Sequence, residues 1–176
     1  MKNLLSIFIL VSLFHDLHAQ TFGKSKIILQ GKVTELFLAD STEKPLDKVS
    51  IQIWSNNKLV AEIKSAHRGK YRMEAPFKEN YEIKYVQDGF VTKIVALETQ
   101  SVKREETAIR LMLSIDISMF KENSACDFGF LNDVPVAKAK VLRRKDNISW
   151  DLDYNKTMQD RIRKEISKAR VTKSVL

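Results

Sequence analysis

Few residues of this chain have the type and spacing that bond-making chemistry requires. Its histidines are His15, His18 and His67. The first two fall in a stretch laid out like a secretory signal peptide, which leaves His67 as the one imidazole of the mature chain. A histidine zinc site or a Ser-His-Asp triad needs convergent partners, and no Gly-x-Ser-x-Gly nucleophile turn occurs. His67 lies in a predicted turn and reads as a solvated residue. Cys126 is the sole cysteine, so an intramolecular disulfide is excluded. With no second cysteine or nearby histidine to activate it, Cys126 reads as a half-buried small residue. Asp146, Asp151 and Asp153 gather around Trp150, with Asp127 and Asp133 upstream. They lack the dense, glycine-containing spacing of a calcium loop, and anionic residues at a helix start explain Asp151 and Asp153 as well. A glycine-rich phosphate loop is also missing. No catalytic residue, metal or cofactor is therefore expected. The alternative is an envelope enzyme of unrecognised type using Cys126 or the carboxylates of Asp146, Asp151 and Asp153.

Charge gives a more pointed signal. The chain carries a net +8. Residues 138–176 hold twelve Lys or Arg against five Asp or Glu, a net +7, while residues 20–137 are nearly neutral at +1. Within the basic quarter, Met158, Ile162 and Ile166 recur every fourth residue and Ala169 closes the stripe, which predicts a helix over 154–170 capped by Asp153 or Asn155. Lys156, Arg161, Arg163, Lys164 and Lys168 are expected on the opposite face, and with Arg170 they form the candidate binding set. Two readings stay open. The helix either packs its apolar stripe on the body with its lysines solvated, or also offers its basic face to an anionic membrane or glycan surface or to an acidic envelope protein. Export disfavours nucleic acid as the partner.

These residues need a frame. Met1-Lys2-Asn3 is a short positive start, Leu4 to Phe14 is an apolar run of eleven residues broken only by serines, and Ala19 is a small residue at the expected cut. Such a run is too short for the ~20 residues that span a bilayer. Residues 1–19 are accordingly expected to be a signal peptide, and the protein to reside in the periplasm or at the cell surface. From Ile27 to Ile115, apolar residues alternate with period two in seven runs. These are Ile27–Val33, Val49–Ile53, Leu59–Ile63, Tyr71–Met73, Tyr81–Tyr85, Val91–Leu97 and Ile109–Ile115. Asp47-Lys48, Asn56-Asn57, Arg68-Gly69, Glu79-Asn80 and Asp88-Gly89 supply turns between them. Seven short strands with no helical pattern between them predict a mainly β fold, a seven-stranded antiparallel sandwich over 20–115. Residues 116–176 are expected to add a loop-rich extension, a short hairpin from Ala139 to Trp150, and the basic amphipathic helix.

Residues 28–98 resemble the carboxypeptidase regulatory-like domain, a transthyretin-like (prealbumin-like) sandwich. The resemblance is carried by Gly31-Lys32-Val33, Pro45-Leu46-Asp47-Lys48-Val49-Ser50-Ile51, Ser65-Ala66-His67-Arg68-Gly69-Lys70-Tyr71, Tyr81-Glu82-Ile83 and Gly89-Phe90. Where the family has an aspartate in its Thr-Asp-x-x-Gly-x-Tyr turn, this chain has Ala66, which removes a side-chain cap. The resemblance implies a seven-stranded sandwich that stabilises or recognises and does not catalyse. On this reading the chain is an exported, non-catalytic binding or scaffolding module of a bacterial cell envelope.

Overall fold

The structure is a computed structural model that describes residues 25–76, 79–99, 110–123, 126–142 and 147–173, apart from the side chains of 147 and 169–173. The expected signal peptide 1–19, Ile109, Asp146 and the side chain of Arg170 lie outside the described residues. Within them the chain is mainly β, two sheets closed over one core with a C-terminal helix.

The first sheet is organised around β1 (Lys26–Leu36), whose Ile27, Leu29 and Val33 are fully buried. Its N-terminal half is flanked by β5 (Lys70–Pro76), antiparallel, and by β8 (Arg110–Ser114), parallel. Its C-terminal half is flanked by β2 (Glu43–Pro45), antiparallel, and by β9 (Ile117–Met119), parallel. The second sheet runs in the order β11 (Asn147–Trp150), β10 (Ala137–Leu142), β7 (Lys93–Glu98), β6 (Tyr81–Val86), β3 (Ser50–Ser55), β4 (Lys58–Lys64). Here β10 and β7 are parallel and every other pairing is antiparallel.

The seven alternating runs correspond to β1 and β3–β8, and the hairpin expected from Ala139 to Trp150 is β10–β11, with those two residues opposite each other. The pairing differs from the purely antiparallel expectation. The chain leaves β1, crosses to the second sheet and returns before laying down β8, so parallel partners are reached without a helical crossover. The segment after Asp116 is also less loop-rich than expected, since it supplies β9 to one sheet and β10 and β11 to the other. The Asn56-Asn57 turn forms as read, with both residues at positive φ (48° and 60°), and leaves β4 as an edge strand with Leu59 and Val60 exposed.

The turn at Ala66, where the resemblance would place an aspartate, is capped from elsewhere. Asp47 Oδ1 accepts the Gly69 N–H at 2.8 Å, so the carboxylate comes from the preceding Pro-Leu-Asp segment instead of from position 66. Gly69 sits at φ 67°, and a Cβ there would lie 2.0 Å from the Val33 carbonyl oxygen. Only glycine fits both demands.

A second close approach governs the core. Between β8 and β9 the chain breaks at Ile115-Asp116. The Ile115 N–H donates to the Gln30 carbonyl at 2.8 Å, and the Asp116 carboxylate accepts the Lys32 N–H at 2.8 Å, replacing a missing ladder partner. A Cβ on Gly31 would come within 1.9 Å of the Ile115 carbonyl oxygen, so the break needs glycine opposite. That carbonyl accepts a hydrogen bond from the Tyr71 hydroxyl at 2.8 Å, and the Tyr71 hydroxyl lies 2.7 Å from that of Tyr85. Tyr71 belongs to the first sheet and Tyr85, fully buried, to the second, their rings edge to face at 5.8 Å. Since Tyr71 spends its one hydroxyl hydrogen on a carbonyl that can only accept, Tyr85 must be the donor to Tyr71. Burial, the largest cause for each, raises both phenols above their ordinary pKa, so the relay remains protonated.

This polarity predicts unequal losses. Tyr71→Phe strands the Tyr85 hydroxyl and the Ile115 carbonyl together and should cost roughly 2–4 kcal/mol by chemical denaturation. Tyr85→Phe leaves Tyr71 still donating to Ile115 and should cost about 1 kcal/mol. Equal losses would refute the assigned direction.

Candidate functional site

The helix α1 (Leu152–Lys173) begins two residues before the expected start because its cap is Asp151, whose Oδ1 accepts the Tyr154 N–H at 3.1 Å. The proposed caps have other tasks. Asp153 lies exposed in the first turn, where its charge suits the helix dipole. Asn155 clamps the helix to β10, its Oδ1 accepting the Lys138 N–H at 2.8 Å and its Nδ2 donating to the Lys138 carbonyl at 3.4 Å. Beside it the Tyr154 hydroxyl donates to the Pro135 carbonyl at 2.7 Å, and the Lys138 amine lies 4.0 Å above the Tyr154 ring. Met158 is buried, and Ile162 and Ile166 pack against the core. The helix is thus docked on the sandwich through the stripe read from the sequence.

The basic residues do not share one outward face as expected. Lys156 and Arg163 line a cavity on the docked side, while Arg161, Lys164 and Lys168 follow the helical period along another face. Arg161 stacks its guanidinium 3.8 Å from the Phe130 ring centroid. Arg163 lies 3.6 Å from Asp160 and Lys168 2.6 Å from Glu165, both one turn away. Lys156, Arg161, Arg163, Lys164 and Lys168 are all exposed, and Lys156, Arg161 and Lys164 are the three for which no acidic neighbour is described.

The cavity has a volume of about 820 Å³. It opens where the sandwich parts on one side. One wall is the broken strand 114–118 of the first sheet, the other is β7, β10 and β11 of the second, and α1 is the roof. Ile115, Phe120, Val136, Trp150 and Ile162 make much of it apolar. Its charged groups are Glu43, Lys93, Asp116, Lys156 and Arg163. The two carboxylates already serve the fold, Glu43 taking hydrogen bonds from the Thr34 and Ser118 hydroxyls at 2.8 Å each and Asp116 that of the Lys32 amide.

Lys93 is the unusual member. It opens β7 with 2% of its surface exposed, and its Nζ lies 3.7 Å from the centroid of the Phe120 ring. No hydrogen-bond acceptor and no carboxylate pairs with it among the described residues, and since none of their side-chain nitrogens sealed from solvent lacks a partner, the amine keeps some contact with solvent. Burial lowers its pKa to about 7. Such an amine can hold the head of an anion, or, deprotonated, accept a proton. The sequence reading passed over Lys93, although a signal was present: Val91, Lys93, Val95 and Leu97 alternate, which turns Lys93 inward.

The other sequence candidates stay apart. His67 is exposed and 3.8 Å from Asp47, whose carboxylate holds the turn. The nearby Ser65 hydroxyl is engaged, donating to the Leu46 carbonyl at 2.9 Å and accepting the Val49 N–H at 3.0 Å. Cys126 is half-buried, with its sulfur 3.6 Å from the Glu165 carbonyl oxygen. Asp151 is occupied as the cap, and no group of three or more metal-ligating side chains occurs among the described residues.

Lys93 makes stability depend on pH in a definite sense. Below about pH 7 folded and unfolded chains both hold the proton, and the folded state bears the full cost of a buried charge. As pH rises from about 7 towards 10.5, the unfolded chain binds the extra proton and stability increases. Lys93→Met should remove this rise and be roughly 1–4 kcal/mol more stable than the parent at pH 6. Denaturation curves for the two proteins with the same pH slope would rule out the burial of Lys93.

No family model matches the chain, and no curated protein matches it in sequence. Solved structures overlap it only in part. The minor pilin GBS52 of Streptococcus agalactiae is 15% identical over 57% of this chain and 47% of its own, with a TM-score of 0.39. Catechol 1,2-dioxygenase from Acinetobacter sp. ADP1 is 13% identical over 66% and 58%, TM-score 0.40. The 3-chlorocatechol 1,2-dioxygenase from Rhodococcus opacus 1CP is 10% identical over 58% and 62%, TM-score 0.39. The chain spans less than two thirds of the length of each. Overlaps this slight, shared by pilins and dioxygenases alike, carry no argument about what the chain does.

Proposed function

We propose that this protein is an exported, non-catalytic binding or scaffolding module of a bacterial cell envelope, its body a sandwich of the transthyretin-like kind and its attachment element the basic helix. The observation that carries this reading is the docking of α1. Its apolar stripe is spent on the sandwich, while Arg161, Lys164 and Lys168 stand in solvent along another face of a helix that lies within the strongly basic stretch 138–176. A rigidly held basic face suits an anionic membrane, an acidic glycan or an acidic partner, at about 1 kcal/mol per Lys or Arg near an anionic surface. The N-terminal Lys2, apolar run and Ala19 support export. The motif positions support the sandwich kind, because Gly31, Gly69 and Tyr71 each occupy a place where the fold demands that residue. An enzyme using Cys126 or Asp151 has less support, since each already serves the docking or capping of α1.

Two measurements test the proposal. Protein recovered from the envelope fraction of expressing cells should begin near Gln20 by intact mass, and an uncleaved cytoplasmic product would defeat the export reading. The purified protein should sediment with phosphatidylglycerol-containing vesicles but not with pure phosphatidylcholine ones, and ~1 M salt should release it. Lys164→Ala with Lys168→Ala should weaken that binding roughly 30-fold. Binding indifferent to salt and to both substitutions would exclude the helix as the attachment element.

A further inference from the structure

The cavity under α1 has features that neither the fold nor the helix surface explains. A lysine is buried there with an aromatic ring on one side and no acceptor described for its three N–H bonds. Buried ionisable groups are ordinarily paired, since an isolated charge in an apolar place is costly. The two carboxylates of the same cavity do not meet this need, because the fold uses both to accept from Thr34, Ser118 and the Lys32 amide. Charge in the cavity is mixed, with Glu43 and Asp116 on the strand wall and Lys156 and the Asp160-paired Arg163 on the roof, and the charged group left without a described partner inside it is Lys93. The remaining lining is mostly apolar, with Ser114, Ser118, Asn155 and Gln159 among it, and includes two aromatic rings, Phe120 and Trp150. A volume of about 820 Å³ falls within the ~300–1,000 Å³ usual for small-molecule sites.

We infer that this cavity binds an amphipathic carboxylate, its head on the Lys93 amine and its apolar body between the strand wall 114–118, Trp150 and the roof stripe of α1. The carboxylate supplies the acceptor that Lys93 lacks, and the body covers apolar surface otherwise left to water. A neutral amphiphile leaves the amine unmatched, and a cationic head placed at the same point meets like charge from Lys93. This site is separate from the face carrying Lys164 and Lys168, so the vesicle result bears on the proposed function and the experiment below bears on the cavity alone.

Of the two tryptophans, Trp150 lines the cavity and Trp54 does not, so Trp54→Phe makes the remaining fluorescence report on the site. In that background, dodecanoate, dodecanol and dodecyltrimethylammonium are titrated below their micelle concentrations, with calorimetry giving the stoichiometry. Dodecanoate should bind one to one and change the Trp150 emission. Dodecanol should bind at least tenfold more weakly, and the ammonium amphiphile weaker still. Lys93→Met should bring dodecanoate down to the level of dodecanol, and circular dichroism should show that this variant is folded. Lys164→Ala with Lys168→Ala should leave dodecanoate binding unchanged. Equal affinity for acid and alcohol, an acid preference surviving Lys93→Met, or binding by none of the three probes would each overturn the inference.

Discussion

The two sheets are joined across the core by a relay of two tyrosine hydroxyls. A hydroxyl as deeply buried as that of Tyr85 must find an acceptor inside the protein, and the one it finds is Tyr71, which in turn needs the Ile115 carbonyl. That carbonyl can point inward only because the strand breaks at Ile115-Asp116, and the break is tolerable only because Gly31 clears space and Asp116 takes over the Lys32 amide. The same interrupted strand, residues 114–118, is one wall of the cavity. The geometry of the concave side thus descends from a hydrogen-bonding obligation in the core.

How much of this was legible follows from the physics of each element. Period-two alternation is a signal of one face being dry, so β1 and β3–β8 were readable from strands such as Ser50–Ser55, whose burial alternates residue by residue. β2 gives no such signal because Glu43, Lys44 and Pro45 are all exposed. The parallel pairing of β8 with β1 joins residues about eighty positions apart, and local pattern carries no information on which distant edge a strand will choose. Ala66 in place of the turn aspartate was visible in the sequence. Its replacement by Asp47 was not, since the two residues meet only in three dimensions.

The basic helix shows the same division. The stripe of Met158, Ile162 and Ile166 fixed which side would dock, and the structure bears that out. The distribution of charge around the remainder was less readable, because a helical wheel has flanks as well as a front and a back. Lys156 and Arg163 border the apolar stripe closely enough to reach the cavity, and Arg161 lies over Phe130, a residue in the stretch expected to be loop-rich. Lys93 escaped notice for a different reason. Alternation placed it inside, but a lysine at an inward position is easily passed over as a lapse in the pattern. Only the surrounding walls show that it stands at a cavity and not in a sealed core.

The manner in which α1 is fastened has a dynamic consequence. Its backbone fastenings are densest in the first turn, where Asp151, Tyr154 and Asn155 tie it to itself, to Pro135 and to Lys138, whereas farther along Ile162 and Ile166 hold by apolar contact, Arg161 by stacking on Phe130 and the Glu165 carbonyl by the Cys126 sulfur. Lifting the distal turns therefore breaks no strand pairing and exposes little more than a narrow ribbon of side chains, an excursion far cheaper than global unfolding. Fraying of these turns would leave both sheets intact.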